Sequence, residues 1–419
     1  MNPLNILQIN KVHYPYGGVE QVYLGEIDLL RAAGHAVSVF STRHPDNLPA
    51  GGDEGHFARE LIPIQKAFSL RGLTATRNYL WSPEARKQLR ALLRERKRFD
   101  VAHLHYIFRY LSPSIIAELS AAKIPMVMTL HDYKVVCGAG YLQYQNEICE
   151  RCSQGRYLSI LKTRCCQDSL PRSGFTYVEM MLHHRILKIL DRVALFISPS
   201  EFHAQKIIEM GFRGKLRVIP NPIRLAPMIQ PYPSAAVERI VFIGRLSPEK
   251  GADLPILALA QLASELPSLH LTLCGDGPLR DELSALAQGL GIADRVSFTG
   301  HLDREGVERE IAAAAVVIVP SRNYESQCLT ILEAYGGGRP VIGSDLGALK
   351  AQISVQTGLV FKPGDAADLA TAIRRFFALP QPLRAEMGLE GRKFAERHGD
   401  PARHLASLST AYEEVIAKA

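Results

Sequence analysis

No apolar run in this 419-residue chain reaches the 18 or so residues that a membrane-spanning helix needs, and the longest, such as Ala312 to Val319, are strand-sized. No repeat of solenoid length and no low-complexity tract is present, which removes the fibrous and repeat classes. The N-terminus shows no basic leader, apolar h-region or cleavage site. Met1-Asn2-Pro3 runs straight into the strand-like Leu4 to Ile9, which predicts a cytoplasmic protein. Cysteine is scarce outside one stretch: only Cys274 and Cys328 lie beyond Cys137 to Cys166. The basic residues come without a nucleic-acid-binding motif or interleaved aromatics, so nucleic acid is not the expected partner.

What is present reads as globular. A chain of this length with 47% hydrophobic residues suits two α/β domains of ordinary size. The net charge of +7 is unevenly shared: residues 1–192 hold 25 Lys plus Arg against 17 Asp plus Glu, or +8, and the rest hold 24 against 25, or −1. Much of the excess sits behind Ser82-Pro83-Glu84, which reads as a helix cap, a first-turn proline and a first-turn acid. Ala85, Leu89, Leu92 and Leu93 give that helix a narrow apolar face, and Arg86, Lys87, Arg90, Arg94, Arg96, Lys97 and Arg98 crowd the remainder. Two readings stand: a solvated helix whose cations suit its dipole, and a helix that docks on an anionic membrane surface.

Strand-like runs alternate with amphipathic ones at Ile6–Asn10, Ala36–Ser41, Val101–His105, Met126–Leu130 and Leu195–Ser198. Alternation of this kind predicts a parallel sheet with right-handed crossovers. Residues 224–238, with Pro227, Pro231 and Pro233, make the linker candidate. The pattern then restarts at Ile240–Ile243, Leu269–Leu273, Val296–Thr299, Val316–Val319 and Pro340–Gly343. The expectation is an α/β chain of two doubly wound domains, 1–223 and 239–396, with a helical tail at 397–419 and ligand held at the carboxyl ends of the strands, in a cleft where the domains face each other.

Three segments carry chemistry. Gly17-Gly18 between the first strand and a helix lets backbone approach a ligand closely and presents N–H groups to phosphate or sugar. Gly244-Arg245-Leu246-Ser247-Pro248-Glu249-Lys250 places two cations five residues apart after a strand, the usual partners of a diphosphate. Glu325 and Glu333 stand eight residues apart near the start of a helix. Were the residues between them helical they would rise about 12 Å, too far for the roughly 5 to 9.5 Å of a hydrolase carboxylate pair. They suit instead the two ends of an elongated ligand such as a nucleotide sugar.

Taken in order, the Gly17-Gly18 loop, Thr129-Leu130-His131-Asp132, Ile197-Ser198-Pro199-Ser200, Val218-Ile219-Pro220-Asn221, Gly244-Arg245 with Lys250-Gly251, Gly275-Asp276-Gly277-Pro278, Phe298-Thr299-Gly300 and the Glu-x7-Glu pair resemble the family-four retaining glycosyltransferases of the GT-B fold. The resemblance implies two Rossmann-like domains and a nucleoside diphosphate sugar as donor. It implies that Arg245 and Lys250 bind the diphosphate, Glu333 the ribose, and Glu325 and His131 the transferred sugar, with Gly17 and Gly18 on the phosphate and acceptor side. It also implies catalysis without a bound cofactor. Ser326-Gln327-Cys328 departs from the family's commoner phenylalanine-glycine loop, and three glycines, Gly336 to Gly338, follow the helix where one is usual.

Cys137, Cys149, Cys152, Cys165 and Cys166 fall within an insert of about 137–166. A Cys-x-x-Cys with further thiols nearby has three readings: tetrahedral structural zinc, buried thiols, and a redox or disulfide role. A similar insert marks a subset of the resembled family, with Cys165 in the matching place, so the implied zinc ligands are Cys137, Cys149, Cys152 and Cys165. The functional expectation is transfer of a hexose to a lipid-linked or saccharide acceptor in bacterial surface polysaccharide (lipopolysaccharide-type) assembly, by a protein peripheral to the inner face of the membrane. The alternatives are a nucleotide-sugar epimerase on the same fold and a binding protein without turnover.

Overall fold

The structure, a computed structural model, describes residues 3–59, 77–96, 98–225, 231–233 and 238–418. Lys97 of the basic helix, and 226–230 and 234–237 of the expected linker, lie outside the described residues. The chain divides into two compact units, one of Met1–Gly140, Glu150–Pro222 and Pro401–Ala419, the other of Tyr141–Cys149 and Ile223–Asp400.

In the first unit β1 (Asn5–Ile9), β2 (Ala36–Phe40), β3 (Val101–Leu104) and β4 (Met126–Thr129) are followed by a two-stranded hairpin, β5 (Gln143–Tyr144) and β6 (Glu147–Ile148), and then by β7 (Leu195–Ser198) and β8 (Leu216–Val218). The hairpin groups with the second unit and turns through Gln145 and Asn146, both at positive φ, as a two-residue hairpin loop requires. The other six strands form one parallel sheet in the order β2-β1-β3-β4-β7-β8. β3, β4 and β7 are buried at every position, which is why they read as continuous apolar runs rather than alternating ones.

The second unit holds β9 (Arg239–Ile243), β10 (His270–Cys274), β11 (Val296–Gly300), β12 (Val316–Val319), β13 (Val341–Ser344) and β14 (Gly358–Phe361), all parallel, in the order β11-β10-β9-β12-β13-β14. This 3-2-1-4-5-6 order reverses direction between β9 and β12, and ligands of such sheets bind beyond the carboxyl ends at that point. The described part of the first unit follows the flavodoxin-like order, with its reversal between β1 and β3.

The C-terminal helix Pro401–Ile416 belongs to the first unit. Its Leu408, Ala411, Tyr412 and Val415 recur at helical spacing and pack against Ile6, Leu30, Val101 and Val127. The expected tail boundary at 397 therefore moves, because helix Gln381–His398 runs on within the second unit and the chain changes unit between Asp400 and Pro401.

Candidate functional site

At the reversal point of the second sheet, β9 gives way to Gly244 and Arg245, and β12 to Pro320 through Glu325. Arg245 is exposed. A short turn, Pro248–Lys250, carries Lys250, whose Nζ donates to Glu325 Oε1 at 2.6 Å. Ser321 Oγ donates to the same oxygen at 2.8 Å. Burial opposes the charge of Lys250, but Glu325 outweighs it and holds the ammonium above the ordinary lysine range. Arg322 ties the two loops together: its guanidinium donates to both oxygens of Asp253 at 2.6 Å, and its backbone N–H to Glu249 O at 2.8 Å. Such a bidentate pair fixes geometry as well as adding energy.

Behind Arg245 lies the Gly275-Asp276-Gly277 turn. Leu246 N–H donates to Asp276 O at 3.0 Å, and Gly275 sits at φ +138 with its Cα so close to Gly244 that an added Cβ would stand 2.0 Å from Gly244 O. Two backbones approach here in a way only glycine permits. Glu333 lies in the helix Leu329–Gly336 and is half-buried; burial raises its pKa, with Arg304 opposing. That helix begins at Leu329, so four residues of the stretch from Glu325 are loop, and the 12 Å helical rise does not apply. Its first residue is preceded by Cys328, whose N–H and C=O both bond the Gln352 side chain, at 3.1 and 3.3 Å.

In the first unit the carboxyl ends of β1, β3 and β4 lead to Lys11, His105 and His131. Helix Gly18–Ala32 starts without a side-chain cap at Gly17, whose backbone is extended at φ −175. Lys11 Nζ lies over the rings of Tyr106, Tyr16 and Tyr110 at 4.8, 5.4 and 5.8 Å and 3.5 Å from Glu20. Half-buried His131 stacks on His105 with ring centroids 5.2 Å apart, Nε2 to Nδ1 2.9 Å. Burial, followed by the neighbouring His105, holds His131 well below the usual histidine range, so the ring is neutral.

Beneath them lies a buried polar network. His105 Nε2 meets Gln8 Oε1 at 2.9 Å, while His103 meets Tyr412 OH at 2.7 Å and Thr129 Oγ1 at 2.8 Å. Glu26 Oε2 is 3.4 Å from both His103 Nδ1 and His105 Nε2, and its Oε1 is 3.1 Å from His404 Nε2. Glu26, His103 and His105 are the described residues whose metal-ligating atoms gather within 4.8 Å. All four ring nitrogens of the two histidines already have partners at 2.7 to 2.9 Å, so the group is a hydrogen-bonded network. Sequence reading missed Gln8, Lys11, Glu26, His103 and His105. The available signal was two histidines at alternate positions of Val101-Ala102-His103-Leu104-His105, on one face of an otherwise apolar strand.

The model of Glycosyltransferase Family 4 matches residues 16–226, and that of glycosyl transferases group 1 matches residues 234–394. The chain belongs to the family-four glycosyltransferases. It is 32% identical over 181 residues to 2-deoxystreptamine glucosyltransferase of Streptomyces kanamyceticus, covering 43% of this chain and 46% of that one. It is 33% identical over 321 residues to D-inositol 3-phosphate glycosyltransferase of Acidothermus cellulolyticus, covering 70% and 63%. The chain thus spans less than half the length of the first curated relatives it matches. Anabaena HepE, solved with UDP and glucose, superposes with a TM-score of 0.68 at 18% identity, covering 98% of this chain and all of that one. The fold is GT-B, two parallel-sheet α/β domains.

Within this family-four glycosyltransferase the expected site residues fall into two groups. Lys250 and Glu325 meet at the switch point of the second unit, with Arg245 on the loop after β9 and Glu333 in the helix after β12. Gly17, Gly18 and His131 follow β1 and β4 of the first. Of the expected zinc ligands, Cys137 and Cys152 are buried and Cys149 and Cys165 half-buried; among the described residues they do not form a group of three ligating atoms within 4.8 Å. No disulfide joins the cysteines. Cys166 Sγ donates to Thr176 Oγ1 at 3.3 Å, and the hydrogen bond with Cys165, with Arg109 and Lys134 nearby, holds its thiol below the usual range. No described helix is long and apolar enough to cross a membrane.

Proposed function

We propose that this chain is a retaining hexosyltransferase that takes its sugar from a nucleoside diphosphate donor and passes it to a lipid-linked or saccharide acceptor in bacterial surface polysaccharide synthesis. The observation that carries the reading is the Lys250–Glu325 pair at the switch point, 2.6 Å long, with Arg245 exposed on the adjoining loop. An ammonium and a carboxylate that satisfy each other without ligand can exchange partners when donor arrives, Lys250 turning to phosphate and Glu325 to sugar hydroxyls. Arg245 and Lys250 then meet the charge that grows on the leaving diphosphate, which assigns that role without a further cofactor. Glu333, half-buried in its helix, takes the ribose hydroxyls, and His131 a sugar hydroxyl. Curated relatives named for glucosyl and glycosyl transfer and the neighbour solved with UDP and glucose support the donor class. The excess of eight positive charges in residues 1–192 supports a peripheral place at an anionic membrane.

The test is thermal and urea unfolding with UDP, GDP, ADP and their sugar conjugates, on wild type and on Lys250→Ala. A ligand at about 100 times its Kd adds about 2.7 kcal/mol to folded-state stability. Stabilisation by one nucleotide family, lost in Lys250→Ala, is expected. No stabilisation by any of them would overturn the donor reading.

A further inference from the structure

We propose that the helix Leu170–Met180, with the π turn Met181–Ile186 that continues it, is the surface by which the chain docks on an anionic lipid bilayer. This docking surface deepens the proposed function and rests on its placing the chain at an anionic membrane. The helix is built inside out. A helix at a water-facing surface buries an apolar stripe and shows its polar side. Here the buried positions are Ser173, Thr176, Glu179, Met180 and His183, all but Met180 polar. Leu170, Val178, Ile186 and Leu187 are instead 52, 48, 69 and 37% exposed.

The buried side is held by groups of the same unit. Lys134 Nζ donates to Glu179 Oε2 at 2.8 Å, Arg109 Nη2 to Thr176 Oγ1 at 3.5 Å, the backbone N–H of Cys166 to Ser173 Oγ at 3.3 Å, and His183 Nε2 to Leu80 O at 2.7 Å. Hydrogen bonds of this kind offset the cost of burying polar groups. The polar face is thereby committed to the fold, and the apolar face is what the helix presents.

Charge around this face names the partner. From Leu158 to Arg192 there are six Lys plus Arg and three Asp plus Glu, and one of those acids, Glu179, is buried against Lys134. Lys162, Arg164, Arg185, Lys188 and Arg192 are exposed and form no ion pair among the described residues; Arg185 donates to the backbone oxygen of Gln154 at 3.2 Å. Lys162 stands on the helix Leu158–Thr163, which packs against Leu170–Met180 and leaves Leu158 58% exposed. A second copy of the chain on this face would bring two such basic patches together, because an isologous interface sets a patch against itself. An anionic bilayer accepts both features at once, apolar side chains at the acyl boundary and cations at the phosphates.

The neighbouring element fits the same partner. The rings of Tyr79 and Phe175 meet edge to face with centroids 6.2 Å apart, and His183 bonds Leu80. The inside-out helix therefore lies against the segment that leads into Ser82, the cap of the basic helix Pro83–Glu95. Charge from one element and apolar depth from the other stand next to each other within the first unit.

The experiment is co-sedimentation of the full chain with vesicles of phosphatidylserine and phosphatidylcholine, on wild type and on Val178→Ser with Ile186→Ser. The double variant should keep wild-type stability and nucleotide binding, yet bind the vesicles about tenfold or more weakly. Ile186→Trp should add fluorescence that acyl-brominated lipid quenches, beyond any quenching of Trp81, the one native tryptophan. Vesicle binding that the double variant retains in full, or an Ile186→Trp signal that the bromine does not reach, overturns the docking face and leaves the membrane reading standing on the basic helix. No vesicle binding by wild type overturns both. A dimer that the double variant abolishes, with vesicle binding unchanged, assigns the face to a second copy and also overturns the proposal. Donor binding, read by nucleotide stabilisation of the same samples, stands or falls separately.

Discussion

Lys250 and Glu325, 75 residues apart in sequence, are joined by a 2.6 Å hydrogen-bonded ion pair at the carboxyl ends of two adjacent strands. The pair is both recognition element and competitor, because the carboxylate occupies the ammonium that a diphosphate needs. Glu325→Gln should therefore bind the preferred nucleoside diphosphate more tightly, by about 1.5- to 5-fold if the partly exposed pair is worth about 0.2 to 1 kcal/mol, while sugar transfer falls. Isothermal titration and turnover on the same sample read both. Weaker diphosphate binding would show that Glu325 supports the phosphate site rather than competing for it.

The basic helix forms as its sequence signals: Ser82 caps Pro83–Glu95 by accepting from Ala85 N–H at 3.1 Å, with proline in the first turn. Its cations are not equivalent. Arg86 and Arg90 both donate to Glu118, at 2.6 and 2.8 Å, and Arg96 donates to Asp53 at 2.9 Å, so these charges are met within the unit. Lys87 and Arg94 are exposed and have no ion pair among the described residues, so at an anionic surface they would add about 1 kcal/mol each. Lys87→Ala with Arg94→Ala should weaken sedimentation with phosphatidylserine vesicles about tenfold or more. Arg90→Ala should lower stability with less effect on vesicles, and equal binding by all variants would remove the membrane role.

These two cases mark how far the sequence could be read. Strands rich in buried β-branched residues were legible to within about one residue, and so were caps such as Ser82, because their signals are local. β8 and β14 were not picked out, being short, with half-buried positions in each. The network of Gln8, Glu26, His103 and Tyr412 was illegible because its members come from β1, the first helix, β3 and the last helix, with Gln8 and Tyr412 separated by 404 positions.

His404 gives a pH signature. Its folded pKa is raised, so its contribution is present in full below the unfolded value of about 6.5 and is lost as pH rises through the folded value. His203, held at about 4 by burial, acts with opposite sign and only on the acid side, as its burden appears when pH falls below about 6.5. Between pH 6.5 and 9 the stability gap between wild type and His404→Gln should shrink, by at most about 1.4 kcal/mol per pH unit. Urea unfolding at four pH values measures it, and a gap that widens with pH would mean a neutral His404.

Gly275 and Gly17 separate glycines needed for folding from those needed for a ligand. A Cβ at Gly275 would meet Gly244 O at 2.0 Å with φ at +138, whereas at Gly17 the nearest atom, Glu20 Oε2, is 3.7 Å away and the backbone is extended at φ −175. Gly275→Ala should cost about 1 to 3 kcal/mol of stability and disturb the Arg245 loop that leans on it. Gly17→Ala should fold with stability within about 1 kcal/mol of wild type yet lower kcat/KM at least about tenfold, a loss of about 1.4 kcal/mol in transition-state stabilisation. Among the described residues nothing requires glycine at position 17, so a loss of activity in Gly17→Ala would point to close approach of substrate. Full activity in Gly17→Ala would place substrate elsewhere.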